Sequence, residues 1–252
     1  MSKNNCTVID LNTMKSNDTI LEFSKSSVKE IIIDLDSVVF DFGGMLEKVV
    51  RQEYPNFSME RVVTYDFNRY VDKIPVSILS TRYCKEDITN YVKDFDNFHL
   101  LQANRRFIMS HMSNPVLYTD AEPYNCIDEL KQLMDSPDFE VIFNTAVPHE
   151  NKEIIVQGKA DRLKKLFGEH NYSMVYSVGI EKPIWESAYA IIDDKLEYIC
   201  LQAKANSSAK LFLIDQPYNK FEFNAYFSDY RNNTKRCKSL KDVVNELLHE
   251  IV

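Results

Sequence analysis

The sequence lacks the features that define several large classes of protein. No apolar run approaches the roughly 18 residues that a membrane-spanning helix needs. Residues 1–10 contain no apolar stretch of the kind found in secretory signals. The net charge of −8 over 252 residues argues against an extended nucleic-acid interface, which requires a basic face. We therefore expect a cytoplasmic protein that acts on a small molecule and binds neither membranes nor nucleic-acid polymers.

The cysteine and glycine patterns exclude further classes. The five cysteines are scattered, odd in number and form no C-x-x-C pair, so neither a zinc cluster nor a disulfide framework is indicated. The signatures G-x-x-x-x-G-K-[ST] and G-x-G-x-x-G are missing, which argues against P-loop and dinucleotide cradles. A composition of 44% hydrophobic and 27% charged residues is that of an ordinary globular protein with a sizeable core.

What the sequence does contain is a buried-strand pattern that runs directly into two aspartates. Residues 31–33 are three consecutive isoleucines, followed by Asp34 and then by Asp36. Such a run is typical of a strand buried in a parallel sheet, and ligands of open α/β sheets bind beyond the carboxyl ends of the strands. Because unpaired buried carboxylates are costly, the pair indicates a divalent-cation site. For this segment alone, solvated acids at a strand end are the simpler alternative.

The same pattern recurs further along the chain. Apolar strand patterns each lead to a group suited to a metal or a phosphate. These groups are Thr145, Lys182, Asp193, Asp194 and Asp215. Helical patterns at residues 151–167 and after Ser239 lie between or beyond these strands. The alternation predicts an α/β, Rossmann-like parallel sheet with helices on both faces, and a single site at its carboxyl edge.

The chain divides into three predicted parts. Residues 30–44 and 118–252 form the α/β core, and residues 45–117 form a helical cap inserted after the first core strand. The cap is aromatic-rich, with no glycine between residues 56 and 118. Residues 1–29 are a polar N-terminal extension in which residues 7–11 predict an edge strand. A helix is also predicted from Glu122 onward, with Pro123 in its first turn.

Convergence of these residues would allow hydrolysis of a phosphate ester. Asp34 and one of Asp193 and Asp194 could hold Mg²⁺, a hard cation that prefers carboxylates, waters and phosphate oxygens. Asp34 could attack phosphorus, and Asp36 could protonate the leaving oxygen and then activate water. The remaining polar groups, Thr145 and Lys182, could bind the transferring phosphoryl oxygens.

These residues resemble the four-motif signature of the haloacid dehalogenase-like (HAD) phosphatases. The motifs are DLDSV at residues 34–38, Thr145, Lys182 and IDD at residues 192–194. Residues 34–48, DLDSVVFDFGGMLEK, are similar to the D-x-D-G-V-x-x-D-F-x-G-x-x motif of the 5'(3')-deoxyribonucleotidases. The likeness covers about residues 31–55 and 117–220 and fails in the cap.

The resemblance implies a Mg²⁺-dependent phosphomonoesterase that hydrolyses (deoxy)ribonucleoside monophosphates through an aspartyl-phosphate. It makes Asp34 the nucleophile and a metal ligand, and Asp36 the acid/base, whose main-chain carbonyl also binds the metal. Either Asp193 or Asp194 is the remaining ligand, with Asp193 preferred.

Other positions are assigned in the same way. The resemblance gives phosphate-binding roles to Thr145 and Lys182 and places Phe42 at the nucleoside pocket. Asp41 matches a family acid, either near the substrate or as a structural hydrogen-bonding group. Ser37 departs from the family, which usually has glycine there, so the turn after the aspartates must accept a side chain.

Several alternatives stay open. A phosphatase of the same superfamily could act on another small ester, such as a sugar phosphate. A non-catalytic nucleotide-binding protein could keep the fold without turnover. An Asp-x-Asp metal site of a nucleotide-sugar transferase is a weaker option, since it leaves Thr145 and Lys182 unexplained. The sequence also leaves open base and sugar preference, 5' or 3' specificity, and whether the protein forms a homodimer.

Overall fold

The computed structural model describes residues 7–10, 28–52, 55, 111–179, 182–216, 219 and 234–250. Its strands are β1 Thr7–Asp10, β2 Lys29–Asp34, β3 Phe139–Val147, β4 Tyr172–Val178, β5 Ala190–Asp193, β6 Lys210–Ile214 and β7 Thr234–Cys237. They form one seven-stranded sheet in the order β1-β4-β3-β2-β5-β6-β7, and every neighbouring pair is parallel. The predicted α/β parallel sheet is therefore confirmed.

Helices connect the strands and cover both faces of the sheet. Within the described residues they are α1 Phe42–Val50, α2 Val116–Thr119, α3 Ile127–Asp135, α4 Lys152–Phe167, α5 Leu196–Ala205 and α6 Leu240–His249. Ile31 and Ile33 of β2 pack with side chains of α3, α4 and α6. Ile32, which alternates to the opposite face, packs with α5. A strand buried on both faces explains why β2 reads as an unbroken apolar run.

The strand order brings distant residues to the same edge of the sheet. β2 lies at the centre, between β3 and β5. Asp34 is in register with Asn144 of β3, so Thr145 follows directly after that pair. Ile33 is in register with Ile192 of β5, so Asp193 is the next residue along. The carboxyl ends of these three strands therefore deliver Asp34, Thr145 and Asp193 to one place.

The ends of the predicted helices are largely as expected. α4 ends at Gly168, which has φ 60° and so takes a left-handed conformation that glycine adopts readily. α6 begins after Ser239, whose hydroxyl accepts a hydrogen bond from the Asp242 N–H at 3.2 Å. β1 pairs with β4 at the edge of the sheet, as predicted for residues 7–11.

The helix predicted to start near Pro123 was placed too early, because α3 begins at Ile127. Pro123 instead forms a bridge with Phe40 in the segment after β2. The main-chain N–H of Tyr124 donates to the carbonyl of Val39 at 2.9 Å. These long-range bonds hold the segment extended, and the sequence alone gives no sign of them.

The predicted cap falls mostly outside the described residues. α1 runs from Phe42 to Val50 and so overlaps the start of the predicted cap at residue 45. Residues 53–54 and 56–110 lie outside the described part of the chain, so the cap and its aromatic residues stay predictions. Among the described helices, none is long and apolar enough to cross a membrane.

Candidate active site

The turn after β2 holds the two motif aspartates. Asp34 is the last residue of β2, and its Oδ1 accepts a hydrogen bond from the N–H of Leu35 at 2.8 Å. Ser37 has φ 63°, a conformation that residues with a side chain seldom adopt. The Gln216 side chain donates to the carbonyl of Ser37 at 2.6 Å and so ties this turn to the segment after β6. The serine thus sits in the backbone conformation for which glycine is better suited.

Three buried carboxylates meet beyond β2 and β5. One oxygen from each of Asp34, Asp193 and Asp194 lies within 4.8 Å of the other two. Burial raises the pKa of Asp193, while the charge of Lys182 opposes that rise. Burial, and then the charges of Asp193 and Asp34, raise the pKa of Asp194 well above its usual range. Like charges this close require a cation or a shared proton.

Lys182 supplies a cation to this cluster. Its Nζ lies 2.9 Å from Asp34 Oδ1 and 2.6 Å from Asp193 Oδ2, and its side chain is 3% exposed. Burial works against the charge of the lysine, but the charges of Asp193, Asp34 and Asp194 outweigh burial and raise its pKa above the ordinary value. Lys182 is therefore charged at neutral pH.

The side chain of Lys182 rests on a polar network between β3 and α5. The Tyr198 hydroxyl accepts a hydrogen bond from Asn144 Nδ2 at 3.0 Å and donates to the carbonyl of Pro183 at 2.8 Å. Lys182 Nζ lies 5.2 Å from the centroid of the Tyr198 ring, within the range of a cation–π contact. These contacts fix the direction from which the lysine approaches the carboxylates.

The carboxylate cluster fits a divalent cation. Its donors are hard oxygens on buried aspartates, which is the set that Mg²⁺ takes in proteins. Asp193 already uses both oxygens, because Oδ2 contacts Lys182 and Oδ1 accepts a hydrogen bond from the Lys195 N–H at 2.8 Å. The arrangement therefore combines a fixed lysine with a compact oxygen cluster.

A second lysine, which the sequence motifs do not identify, lies beside Asp36. Lys159 on α4 is 0% exposed, and its Nζ donates to Asp36 Oδ2 at 2.6 Å and to Thr145 Oγ1 at 2.7 Å. Burial raises the pKa of Asp36, Lys159 opposes that rise, and the charge of Asp34 adds to it. Burial lowers the pKa of Lys159, and Asp36 opposes that change. Asp36 and Lys159 are thus hydrogen-bonded partners next to the carboxylate cluster.

One sequence signal could have identified Lys159. The buried residues of α4 are Ile155, Lys159, Leu163 and Phe167, which recur every four residues. A lysine in this apolar stripe is unusual, because a buried charge is costly without a partner. The stripe identifies a buried lysine, but only the fold shows that its partners are Asp36 and Thr145.

The structure also places the two remaining predicted residues. Asp41 caps α1, with its Oδ1 accepting hydrogen bonds from the Gly44 N–H at 2.8 Å and from the Tyr124 hydroxyl at 3.0 Å. These contacts support the structural alternative for Asp41. Phe42 is 4% exposed and its ring lies 5.2 Å from that of Tyr118, so within the described residues it contributes to core packing.

Six of the predicted site residues therefore lie in one electrostatically linked cluster. They are Asp34, Asp36, Thr145, Lys182, Asp193 and Asp194. The aspartate that follows β6 has a different environment. Asp215 forms an ion pair with Arg236 of β7.

Comparison with solved structures finds proteins whose backbone path resembles that of this chain. No family model and no curated protein matches the sequence. The chain is similar to a haloacid dehalogenase-like hydrolase from Streptococcus pneumoniae, with 15% identity, 90% of this chain and 99% of that chain covered, and a TM-score of 0.44. For an L-2-haloacid dehalogenase from Xanthobacter autotrophicus, the identity is 11%, the coverage 89% and 100%, and the TM-score 0.48.

A further solved structure is a HAD-hydrolase from Bacillus subtilis bound to magnesium. It shares 12% identity, covers 87% of this chain and 98% of that chain, and has a TM-score of 0.38. Likenesses of this size identify neither a substrate nor a reaction.

Proposed function

We propose that the protein is a HAD-like hydrolase, a Mg²⁺-dependent phosphomonoesterase that works through an aspartyl-phosphate. The observation that carries this proposal is the meeting of Asp34, Asp193 and Asp194 within 4.8 Å, with Lys182 in contact with the first two. A nucleophilic carboxylate must approach an anionic phosphate, and such an approach needs concentrated positive charge. The cluster provides a lysine and a set of oxygen donors for a divalent cation.

Asp34 is the proposed nucleophile. Its carboxylate attacks phosphorus, the bond from phosphorus to the leaving oxygen breaks, and Asp36 gives its proton to that oxygen. Asp36, now a carboxylate, then takes a proton from water. The water oxygen attacks phosphorus, the acyl-phosphate bond breaks, and Asp34 returns to its carboxylate form as phosphate is released. The raised pKa of Asp36 supports its role as the proton donor of the first step.

Thr145 and Lys182 are the proposed phosphate-binding groups. The Lys182 ammonium already lies 2.9 Å from the nucleophile, so a phosphoryl group on Asp34 comes within its reach. Thr145 is buried at the carboxyl end of β3, beside Asp36 and Lys159. Its hydroxyl can donate to a phosphoryl oxygen, a type of contact that strengthens as negative charge builds up.

The proposed metal ligands are the side chains of Asp34 and Asp194 and the main-chain carbonyl of Asp36. Asp194 replaces the sequence preference for Asp193, because both oxygens of Asp193 already have partners in Lys182 and Lys195. A bound Mg²⁺ supplies neutralisation of phosphoryl charge.

The proposed substrates are (deoxy)ribonucleoside monophosphates. The support for this choice is the run at residues 34–48, which resembles the deoxyribonucleotidase motif. The site itself supports phosphomonoester hydrolysis more broadly, since the roles proposed for Asp34, Asp36, Thr145 and Lys182 all concern the phosphoryl group. Substrate choice is therefore tested separately from the reaction.

The test is a panel of nucleoside monophosphates, sugar phosphates and 4-nitrophenyl phosphate, assayed for phosphate release with Mg²⁺ and with a chelator. We expect release that requires Mg²⁺, is highest for nucleotides and is lost in Asp34→Asn. Equal activity in Asp34→Asn would refute the covalent mechanism. Preference for sugar phosphates would refute the substrate while retaining the reaction. Thermal stabilisation by nucleotides without phosphate release would identify the non-catalytic alternative.

A further inference from the structure

Lys159 is a buried charge at the site to which the proposed reaction gives no role. It lies in the middle of α4, in the apolar stripe formed with Ile155, Leu163 and Phe167. For packing alone, an apolar side chain would serve this position at lower cost, because a buried ammonium loses its hydration. A lysine at this position is therefore expected to have a partner that is stabilised by its positive charge.

The ammonium group of Lys159 is held on three sides. Two of its N–H groups are directed at Asp36 Oδ2 and Thr145 Oγ1, at 2.6 and 2.7 Å. The ring of Tyr118 lies on another side, with its centroid 4.8 Å from Nζ. Tyr118 is itself fixed, since its hydroxyl donates to the carbonyl of Met112 at 2.7 Å. Lys159 is 0% exposed and fixed by these contacts, so its ammonium group is placed to hold Asp36 and Thr145 and not to bind a substrate directly.

The contacts also determine which atoms remain for chemistry. Because Asp36 Oδ2 accepts from Lys159, Oδ1 is the oxygen left to exchange a proton with the leaving group or water. Because Thr145 Oγ1 accepts from Lys159, the hydroxyl proton of Thr145 is left to donate elsewhere. Both consequences match what the phosphoryl-transfer steps require of these two residues.

We infer that Lys159 is a positioning residue that holds Asp36 in the orientation for proton transfer to the leaving oxygen. This inference rests on the proposed function and adds to it a residue outside the four motifs. A general acid is effective only when its proton lies within hydrogen-bond reach of the receiving atom. Displacement by about 1 Å can lower a rate by about 10²-fold, so an anchor for Asp36 has a measurable effect.

The experiment compares leaving groups. The substrates are aryl phosphates of rising phenol pKa, from 4-nitrophenyl to phenyl phosphate, together with a simple alkyl phosphate. The quantity is kcat/KM, which reports on the first phosphoryl transfer whatever the rate of later hydrolysis. The variants are Lys159→Met, Asp36→Asn and the double variant. Lys164→Met is the matched control, because it makes the same change at an exposed position of the same helix.

Good leaving groups need little protonation, whereas poor ones depend on the acid. We therefore expect Lys159→Met to lower kcat/KM for the alkyl ester about 10²-fold more than for 4-nitrophenyl phosphate, as Asp36→Asn does. Lys164→Met leaves the whole series unchanged. The double variant matches Asp36→Asn, because Lys159 acts through Asp36, and it carries no unpaired buried charge should Lys159→Met alone fail to fold.

Three results would overturn the inference. A loss of the same factor for every ester in Lys159→Met would show a general structural role, with the proposed function intact. Losses in the double variant that multiply those of the single variants would show that Lys159 acts independently of Asp36. A wild-type protein that hydrolyses none of the esters in Mg²⁺ would refute the proposed function itself, and the inference with it.

Discussion

Replacement of Lys182 by methionine tests how strongly the site depends on its central cation. Lys182 is 3% exposed and contacts two carboxylates that are themselves 4% and 1% exposed, Asp34 and Asp193. Lys182→Met keeps an unbranched side chain of similar length but removes the charge and its hydrogen bonds. Asp34 and Asp193 then remain buried beside Asp194 without this partner.

The expected loss of stability is large. Removing one partner of a buried ion pair costs about 3–5 kcal/mol, because the remaining charge is uncompensated. For a protein of this size that loss corresponds to a fall of about 6–20 °C in the melting temperature. The loss should be smaller at pH 5 than at pH 8, because Asp193 and Asp194 have raised pKa values and take up protons more readily at low pH.

The assay is thermal unfolding monitored by circular dichroism. A chelator is present so that no divalent cation replaces the lost charge. The matched control is Lys235→Met, which removes a lysine paired with Glu246 on the surface. Exposed ion pairs contribute little to stability, so the control should have the same melting temperature as the wild-type protein. A melting temperature unchanged in Lys182→Met would refute the buried charge cluster on which the site depends.

Three further predictions concern the surroundings of the site. In a chelator, the wild-type protein should lose stability relative to Asp194→Asn as the pH rises above 3.8, which is the ordinary pKa of an aspartate. Above that pH the unfolded chain has released this proton, whereas the folded state retains it because the pKa of Asp194 is raised there. Urea unfolding from pH 4 to pH 8 measures the difference, and a constant difference would contradict the raised pKa. A Cβ added at Gly44 would lie 2.2 Å from Asp41 Oδ2, so Gly44→Ala should displace the cap of α1 and cost about 0.5–2 kcal/mol in the same assay; an unchanged stability would show that the cap contributes nothing. Ser37→Gly should keep stability within about 1 kcal/mol, since relief of the left-handed backbone offsets the freedom that glycine gains on unfolding. Ser37→Val should melt at a lower temperature, and equal melting of both variants would refute strain at this turn.

The sequence predicts the core of the fold well for a physical reason. Strands buried on both faces are continuous apolar runs, and in a parallel sheet their carboxyl ends converge on one edge. The runs before Asp34, Thr145 and Asp193 therefore indicated both the sheet and the grouping of these residues. The end of α4 could also be predicted from the sequence, because Gly168 has a backbone conformation suited to glycine.

What the sequence did not predict depends on long-range contacts. The late start of α3 follows from bonds between Tyr124 and Val39, which are distant in the sequence. The pairing of Lys159 with Asp36 and Thr145 depends on how α4 lies against the sheet, which no local pattern specifies. The adjacent acids Asp193 and Asp194 differ only in their neighbours, so sequence could not separate them.

The most direct test of the central claim is chemical trapping of the phosphorylated protein. Wild-type protein is mixed with Mg²⁺ and a radiolabelled phosphomonoester, quenched in acid within the first turnover, digested and mapped by mass spectrometry. We predict a labile phosphoryl group on the peptide that contains Asp34 and none in Asp34→Asn. A phosphoryl group on another residue, or rapid hydrolysis without any labelled peptide, would contradict it.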